Sequence, residues 1–255
     1  MANSLDNQVA IITGAASGIG RCTAELFSKQ GALVIVVDRD IEQGQQTERL
    51  VLESGGRAKF FEADVTDNEA AWKIANQVEN AFGSVDILVT AAATSVGKTV
   101  PDTTPDEWDE VFAVNVKGTY LWMRACLDQM VKKKSGSIVA LSSQLATSGG
   151  LGNAAYIATK GAIVSLCRTA ANDHASDGVR INSVLPGATE TPLLKRSFGR
   201  FENPAPYIER SLSRHPLGRF GQPDEVAKAI LFLASSDSSF TTGTELRVDG
   251  GWISG

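Results

Sequence analysis

Short apolar runs alternate with helix-like segments along the whole chain. Most of the runs are rich in β-branched residues, are too short for helices and lack polar alternation, which is typical of parallel strands buried on both faces. They occupy residues 9–12, 33–37, 58–63, 87–89, 137–141, 179–184 and 244–248. Segments of helical period separate them, for example residues 69–81 and 224–234. The pattern predicts a doubly wound parallel sheet of about seven strands with helices on both faces, in a single α/β domain over residues 1–255.

Residues 189–216 interrupt this alternation. They carry four prolines and no clean period, which predicts a long connection of the kind that forms a substrate-binding loop or lid. The same stretch holds the cations Lys195, Arg196, Arg200, Arg210 and Arg214 and the acids Glu190, Glu202 and Glu209. A solvated surface is the favoured interpretation of these charges, and a site that selects anionic substrates is the alternative.

Composition excludes several classes of function. A hydrophobic fraction of 43% supports a sizeable core, and a net charge of −5 argues against a non-specific nucleic-acid binder. Cys22, Cys126 and Cys167 are odd in number and lack metal-ligand spacing, so we expect reduced thiols and no metal site. The first residues do not form a signal peptide, and no apolar run approaches the ~18 residues of a membrane span. We therefore expect a cytoplasmic protein without a membrane partner.

A glycine-rich turn, TGAASGIG at residues 13–20, follows the first apolar run. Its glycines allow a tight turn and a close approach of backbone to a ligand. The helix predicted over residues 21–30 would add unpaired N–H groups and a positive dipole end, which suit a pyrophosphate. Taken alone, the turn could be an ordinary strand–helix loop. The predicted cofactor contacts here are Gly14, Ser17, Gly18, Ile19 and Gly20.

Two carboxylates follow the next two apolar runs. Asp38 lies about 20 residues past the glycines, where it can bond the adenosine ribose hydroxyls and repel a 2′-phosphate, so NAD is predicted over NADP. Arg39 could instead meet a phosphate, but Asp38 would lie nearer the ribose. Asp64 and Val65 stand where an adenine could bind, and a surface turn is an equal interpretation of Asp64.

Tyr156 and Lys160 stand four residues apart in a segment of helical period, residues 153–175. They would therefore share one helix face. A nearby ammonium lowers a phenol pKa from about 10 towards the range of acid–base catalysis. Ser143 ends the strand thirteen residues before Tyr156, where its hydroxyl could donate to a substrate oxygen that gains charge; Ser142 is the weaker choice.

In this order and spacing the residues resemble the short-chain dehydrogenase/reductase family over nearly the whole chain. The resemblance rests on residues 13–20, Asp38, Asp64, Val65, Asn115, Ser143, Tyr156, Lys160, Pro186, Gly187, Thr191 and residues 248–251. It implies a Rossmann-type fold with Tyr156 as the general acid/base, Ser143 polarising the carbonyl and Lys160 bonding the nicotinamide ribose. It also implies that Asn115 holds a water that connects Lys160 to solvent.

The nicotinamide end of the cofactor would contact Pro186, Gly187 and Thr191, for which a plain turn is the alternative. For Asn115 the alternative is a helix residue that bonds its own backbone. One stretch departs from the family, because Thr90-Ala91-Ala92-Ala93 replaces Asn-Asn-Ala-Gly. We expect Ala92 to contact the cofactor, the Thr90 hydroxyl to tie neighbouring backbone, and the Ala93 methyl to affect how the cofactor is seated.

The leading hypothesis is an NAD-dependent dehydrogenase of a secondary alcohol. The polar residues Gln144, Thr147, Ser148 and Asn153 favour a sugar, polyol or cyclic alcohol over a more apolar substrate. A 3-oxoacyl thioester reductase is the alternative enzyme, and a catalytically silent nucleotide-binding regulator is the alternative outside enzymes. The family resemblance implies a homotetramer or homodimer through residues 105–133 and 153–175, with Trp252 and Ile253 at a second interface.

Overall fold

A seven-stranded parallel sheet forms the centre of the protein in this computed structural model, which describes residues 4–254. The strands are β1 (Val9–Thr13), β2 (Leu33–Asp38), β3 (Arg57–Glu62), β4 (Ile87–Thr90), β5 (Gly136–Leu141), β6 (Val179–Pro186) and β7 (Glu245–Val248). Their order is β3-β2-β1-β4-β5-β6-β7, and every pairing is parallel. The predicted doubly wound α/β fold of seven strands is confirmed.

Ten α-helices connect the strands in the part of the chain that the structure describes. They are α1 (Gly18–Lys29), α2 (Ile41–Glu53), α3 (Asn68–Phe82), α4 (Pro105–Phe112), α5 (Gly118–Lys133), α6 (Leu145–Ser148), α7 (Ala154–His174), α8 (Pro192–Phe198), α9 (Ala205–Ser213) and α10 (Pro223–Ala234). A π-helical turn, Ala113–Lys117, joins α4 to α5. None of these helices is both long enough and apolar enough to cross a bilayer.

The sheet separates two apolar cores. One core packs α3, α5 and α7 against the sheet around Trp122, Cys126 and Ile163. The other packs α1 and α10 around Phe27 and Ile230. Central strands such as β1 and β4 are buried along their whole length, which explains why their sequences lack polar alternation.

Residues 189–216, predicted from the sequence as a substrate-binding loop or lid, contain two short helices, α8 and α9, that the sequence pattern does not reveal. Thr191 caps α8 by accepting the Leu194 N–H, and Pro192 occupies the first helical position. Proline is favoured there because its missing N–H would be unpaired in any case. The prolines suggested a loop, and the two helices are too short to show a helical period of apolar residues in the sequence.

Candidate active site

A cleft of about 1250 Å³ lies beyond the carboxyl ends of β1 and β4, the two strands between which the strand order reverses direction. Pockets for drug-sized ligands are typically about 300–1,000 Å³, so this cleft has room for a second small molecule beside a cofactor. The predicted residues that line it are Gly14, Ser17, Gly18, Ile19, Gly20, Asp38, Asp64, Val65, Ala92, Ser143, Tyr156, Lys160, Pro186, Gly187 and Thr191. Asn115 is the predicted site residue that does not line it.

The glycine turn fits a cradle for phosphates. A Cβ on Gly14 would lie 2.5 Å from the Ala92 nitrogen, and a Cβ on Gly20 would lie 2.2 Å from the Gly14 oxygen. Gly14 also has a φ of +68°, in the region that favours glycine. The helix that follows, α1, has no acidic residue in its first turn and no side-chain cap. The N–H groups of its first turn therefore have no side-chain acceptor and are available to an anion in the cleft. A pyrophosphate is the group that this arrangement fits.

Asp38 is fixed beside this turn. Its carboxylate accepts the Ala16 N–H at 3.0 Å and the Asp40 N–H at 3.1 Å. Arg39 lies outside it with a largely exposed side chain and pairs with Asp64 at 3.7 Å. The Thr66 N–H donates to Asp64 and lowers the pKa of that carboxyl, with further help from the Thr66 hydroxyl and Arg39. The rim of this half of the cleft is therefore acidic, and its one arginine is partly neutralised.

Ser143, Tyr156 and Lys160 converge on the floor of the other half. The Ser143 hydroxyl oxygen accepts the Leu145 N–H at 3.2 Å, and its own proton is directed at the Tyr156 oxygen. Lys160 is buried, and its ammonium donates to the Leu141 carbonyl at 2.7 Å and lies 5.4 Å from the centre of the Tyr156 ring. The Ser142 hydroxyl donates to the Lys160 carbonyl at 2.8 Å, which is a structural contact and agrees with its lower rank.

The two titratable groups have shifted pKa values. Burial raises the pKa of Tyr156 to about 12, and a hydrogen bond with Ser143 partly opposes this. Burial lowers the pKa of Lys160 to about 7. The shift of Tyr156 is opposite to the lowered phenol pKa expected from the sequence, because removal of water from the phenolate is the largest contribution and Lys160, which is itself desolvated, does not offset it.

The buried Lys160 makes stability depend on pH. An unfolded lysine keeps its proton up to about pH 10, whereas Lys160 releases it near pH 7, so the unfolded chain binds more protons between these values and stability rises with pH. We expect the free energy of unfolding to rise by up to about 1.4 kcal/mol per pH unit between about pH 7 and 8.5. Above pH 9 the buried thiols of Cys126 and Cys167, whose pKa values are raised to about 12, act in the opposite direction.

Urea titrations of the wild type and of Lys160→Met over this range measure the effect. The variant should lose the rise, because methionine has no proton to release. An equal slope in both proteins would contradict the assignment to Lys160.

Asn115 lies in the π-helical turn and is fully buried. Its side chain accepts the Thr94 N–H at 2.8 Å and donates to the Thr94 carbonyl and the Thr159 hydroxyl, both at 3.0 Å. These bonds tie the segment after β4 to α7, one residue before Lys160. The alternative of a side chain that bonds its own helix is therefore wrong, and the side-chain amide is used in positioning.

The Thr90–Ala93 stretch packs against the glycine turn and leaves one buried hydroxyl without a hydrogen-bond partner among the described residues. Ala91 and Ala92 pack against the bare Gly14 backbone, and Ala93 has no left-handed φ. The buried Thr90 hydroxyl finds no hydrogen-bond partner among the described residues, so the expectation that it ties neighbouring backbone is wrong. The amide side chains of the family are not replaced here.

The far wall of the cleft includes the C-terminal segment. Trp252 is nearly buried within the chain, donates from its indole to the Ser148 hydroxyl at 3.2 Å and packs edge-on against His215, with centroids 4.7 Å apart. The second subunit interface that the sequence predicts around Trp252 and Ile253 stays a prediction. His215 accepts the Ala188 N–H at Nε2 and donates from Nδ1 to the Ser211 carbonyl, which joins α9 to the turn after β6. Sequence reasoning missed His215, because an isolated histidine carries no periodic or spacing signal.

Comparisons with known proteins agree with this geometry. A family model described as enoyl-(acyl carrier protein) reductase matches residues 14–253. The chain is 39% identical to the uncharacterised oxidoreductase YxbG of Bacillus subtilis, over 97% of this chain and 91% of that protein. It is 36% identical to the 3-oxoacyl-[acyl-carrier-protein] reductase FabG of Thermotoga maritima, over 98% and 99%. It is 35% identical to the 2,5-dichloro-2,5-cyclohexadiene-1,4-diol dehydrogenase LinX of Sphingobium indicum, over all of both chains.

The fold is also that of solved structures. A protein described as a putative NAD(P) dependent gluconate 5-dehydrogenase from Beutenbergia cavernae, with bound NADP at low occupancy, superposes with a TM-score of 0.93 at 31% identity over all of both chains. The chain belongs to the short-chain dehydrogenase/reductase family, a family of oxidoreductases that use nicotinamide cofactors.

Proposed function

We propose that the protein is an NAD-dependent dehydrogenase of a secondary alcohol, with Tyr156 as the general acid/base. The observation that carries the proposal is the convergence of Ser143, Tyr156 and Lys160 in the same cleft as the glycine turn. In this arrangement the group that transfers the proton and the turn that would hold the phosphates of the hydride-accepting cofactor line the same cleft. A catalytically silent nucleotide binder would have no use for the three polar side chains.

The roles follow from the contacts. A bound nicotinamide would accept the hydride of the carbinol carbon in the oxidative direction. Tyr156 takes the hydroxyl proton as the carbonyl forms, and the Ser143 hydroxyl donates to the same oxygen while the Leu145 N–H fixes its orientation. Lys160 bonds the nicotinamide ribose, and the hydrogen bond from Ser143 is the contact that favours the Tyr156 phenolate. Asn115 acts through Thr94 and Thr159 as a positioning residue, and we propose that it holds a water that links Lys160 to solvent.

For the substrate we propose a sugar, a polyol or a cyclic alcohol. Gln144 and Asn153 line the cleft next to Ser143 and Tyr156, and their amides suit a hydroxylated molecule. The similarity to LinX and to the gluconate 5-dehydrogenase supports this class. The alternative, a 3-oxoacyl thioester reductase, is supported by the similarity to FabG and by the matching family model.

One panel separates these candidates. Reduction of NAD or NADP would be followed as a rise in fluorescence with cyclohexanol, cyclohexane-1,2-diol, sorbitol and gluconate. Oxidation of NADH or NADPH would be followed as a fall in fluorescence with acetoacetyl-CoA. We expect secondary alcohols to reduce NAD. Turnover of acetoacetyl-CoA alone, with NADPH, would establish the thioester reductase instead.

Asp38 should determine the choice of cofactor. Its fixed carboxylate would bond the adenosine ribose hydroxyls and repel a 2′-phosphate. We expect Asp38→Ala to lower the ratio of kcat/KM with NAD to that with NADP by about tenfold or more, which corresponds to the loss of a charge-assisted hydrogen bond. Glu42→Ala, an exposed acid in the first turn of α2 outside the cleft, is the control. An unchanged ratio in Asp38→Ala would remove the assignment.

We also propose self-association through the faces of α4, α5 and α7. Trp108 and Phe112 stack at 4.8 Å on α4, and both Trp108 and Tyr120 of α5 are exposed in the single chain. Light scattering should give the mass of two or four chains, and Tyr120→Glu should lower it. A monomer at micromolar concentration would contradict the proposal.

A further inference from the structure

We propose that the substrate carries an oxyanion group (a carboxylate, sulfonate or phosphate) separate from its carbinol, and that arginines of the lid bind this group. The lid is defined as residues 189–216, which include α8 and α9. The inference rests on the proposed dehydrogenase function and narrows its substrate class.

The arginines of the lid line the cleft, and its glutamates do not. Its arginines Arg196, Arg200, Arg210 and Arg214 all line the cleft, whereas Glu190, Glu202 and Glu209 do not. None of these four arginines has a carboxylate partner within 4.0 Å among the described residues. All four arginines are exposed to solvent, as the favoured interpretation of the sequence expects. A merely solvated surface would mix both signs, whereas only cations of the lid line the cleft, and this one-sided lining favours the alternative, a site for anions.

The opposite wall near the lid carries one acid without a basic partner among the described residues. Lys98 pairs with Glu107 at 2.6 Å, whereas the Asp102 carboxylate accepts only a hydrogen bond from the Thr99 hydroxyl, so the four arginines remain in excess at this end. The other acids that line the cleft, Asp38, Asp40 and Asp64, follow β2 and β3 on the far side of β1. The cationic half therefore lies at the substrate end of the cleft and the acidic half at the adenosine end.

Arg200 is held in place without an acid. Its Nε and Nη2 donate to the carbonyl and the hydroxyl of Ser197 at 3.0 and 2.7 Å. Its Nη1 lies directly against Gly97 across the cleft, because a Cβ on that glycine would be 1.3 Å away from it. Gly97 therefore makes room for a guanidinium from the other wall. Burial lowers the pKa of Arg200, which shows that this unpaired cation is also partly desolvated.

Arg214 is held by an aromatic ring. Its guanidinium carbon lies 3.9 Å from the centre of the Trp252 ring, and Trp252 is itself fixed by the bond to Ser148. A cation–π contact orients the guanidinium and leaves its N–H donors free. Two planar forks, prepositioned and unpaired, suit the paired oxygens of a carboxylate, sulfonate or phosphate.

The test compares acids with neutral counterparts in the NAD-dependent assay. The pairs are cis-4-hydroxycyclohexanecarboxylate and its methyl ester, 3-hydroxybutyrate and its methyl ester, and glycerol 3-phosphate and glycerol. We expect kcat/KM for the anion to exceed that for its neutral counterpart by about tenfold or more in at least one pair, mainly through KM. A neutral counterpart that reacts as well as its anion in every pair would overturn the inference and leave the proposed dehydrogenase function standing.

Variants assign the effect to the lid. Arg200→Gln and Arg214→Gln should each lower kcat/KM for the preferred anion about tenfold more than for its neutral counterpart. Lys195→Gln is the matched control, because Lys195 lies on α8 beside Arg196 but does not line the cleft. An equal loss for both members of the pair in the arginine variants would contradict an anion-binding role.

Binding separates the two failures if no alcohol reacts. The proposed function would then be wrong, and charge selectivity would be measured as thermal protection of the NADH-loaded protein by 4-oxocyclohexanecarboxylate and by its methyl ester. Protection by the acid alone, lost in Arg200→Gln, supports the inference. Equal protection by both compounds, or by neither, overturns it.

Discussion

Tyr156→Phe should lower kcat by about 10²–10⁴-fold, the usual contribution of a positioned general acid or base. The substitution removes only the hydroxyl that exchanges a proton with the substrate. The phenyl ring remains beside Lys160, so the packing of α7 and the affinity for NADH should stay close to those of the wild type. The measurement is steady-state turnover of the best alcohol, together with NADH titration by fluorescence.

Tyr120→Phe is the control for this variant, since Tyr120 lies on α5 outside the cleft and phenylalanine keeps its ring for the proposed subunit interface. It should retain wild-type turnover. Full turnover in Tyr156→Phe would show that another group transfers the proton. Loss of NADH binding along with turnover would show that the hydroxyl positions the cofactor rather than the proton.

Gly14→Ala should cost about 2–5 kcal/mol of unfolding free energy and weaken NADH binding strongly. An alanine at a φ of +68° costs about 1–2 kcal/mol. Its Cβ would in addition lie 2.5 Å from the Ala92 nitrogen, and overpacking against backbone that has little room to move costs about 1–3 kcal/mol more. The displacement would push the turn away from β4, which disturbs the phosphate cradle.

Gly55→Ala separates these two contributions. Gly55 also has a left-handed φ, +82°, but a Cβ there meets nothing within 4 Å. It should cost about 1–2 kcal/mol and leave NADH affinity unchanged. Urea unfolding and NADH titration of both variants measure the difference. Equal losses of stability would mean that the contact between Gly14 and Ala92 contributes nothing.

The sequence predicts the sheet and the floor of the cleft well, because both depend on local signals. Buried strands such as β1 and β4 show themselves as continuous apolar runs. The glycine turn and the Tyr156–Lys160 pair depend on spacing within one element, and the order of the strands then brings them to one edge of the sheet.

The walls of the cleft could not be predicted, because their contacts join distant parts of the chain. The bond from Trp252 to Ser148 spans about a hundred residues, and the approach of Arg200 to Gly97 leaves no pattern in either segment. The predicted direction of the Tyr156 pKa shift was wrong for a related reason. Charge proximity follows from spacing, whereas desolvation depends on everything that packs around the group.

The central claim is that this cleft moves a hydride from a secondary alcohol to NAD. The most direct measurement uses the fastest alcohol of the panel, deuterated at its carbinol carbon, and determines the deuterium content of the nicotinamide by mass spectrometry. We predict one deuterium in each NADH formed, and formation of reduced cofactor about 10²–10⁴-fold more slowly with Tyr156→Phe. A protein that binds NADH but transfers no deuterium from any alcohol of the panel would contradict the account.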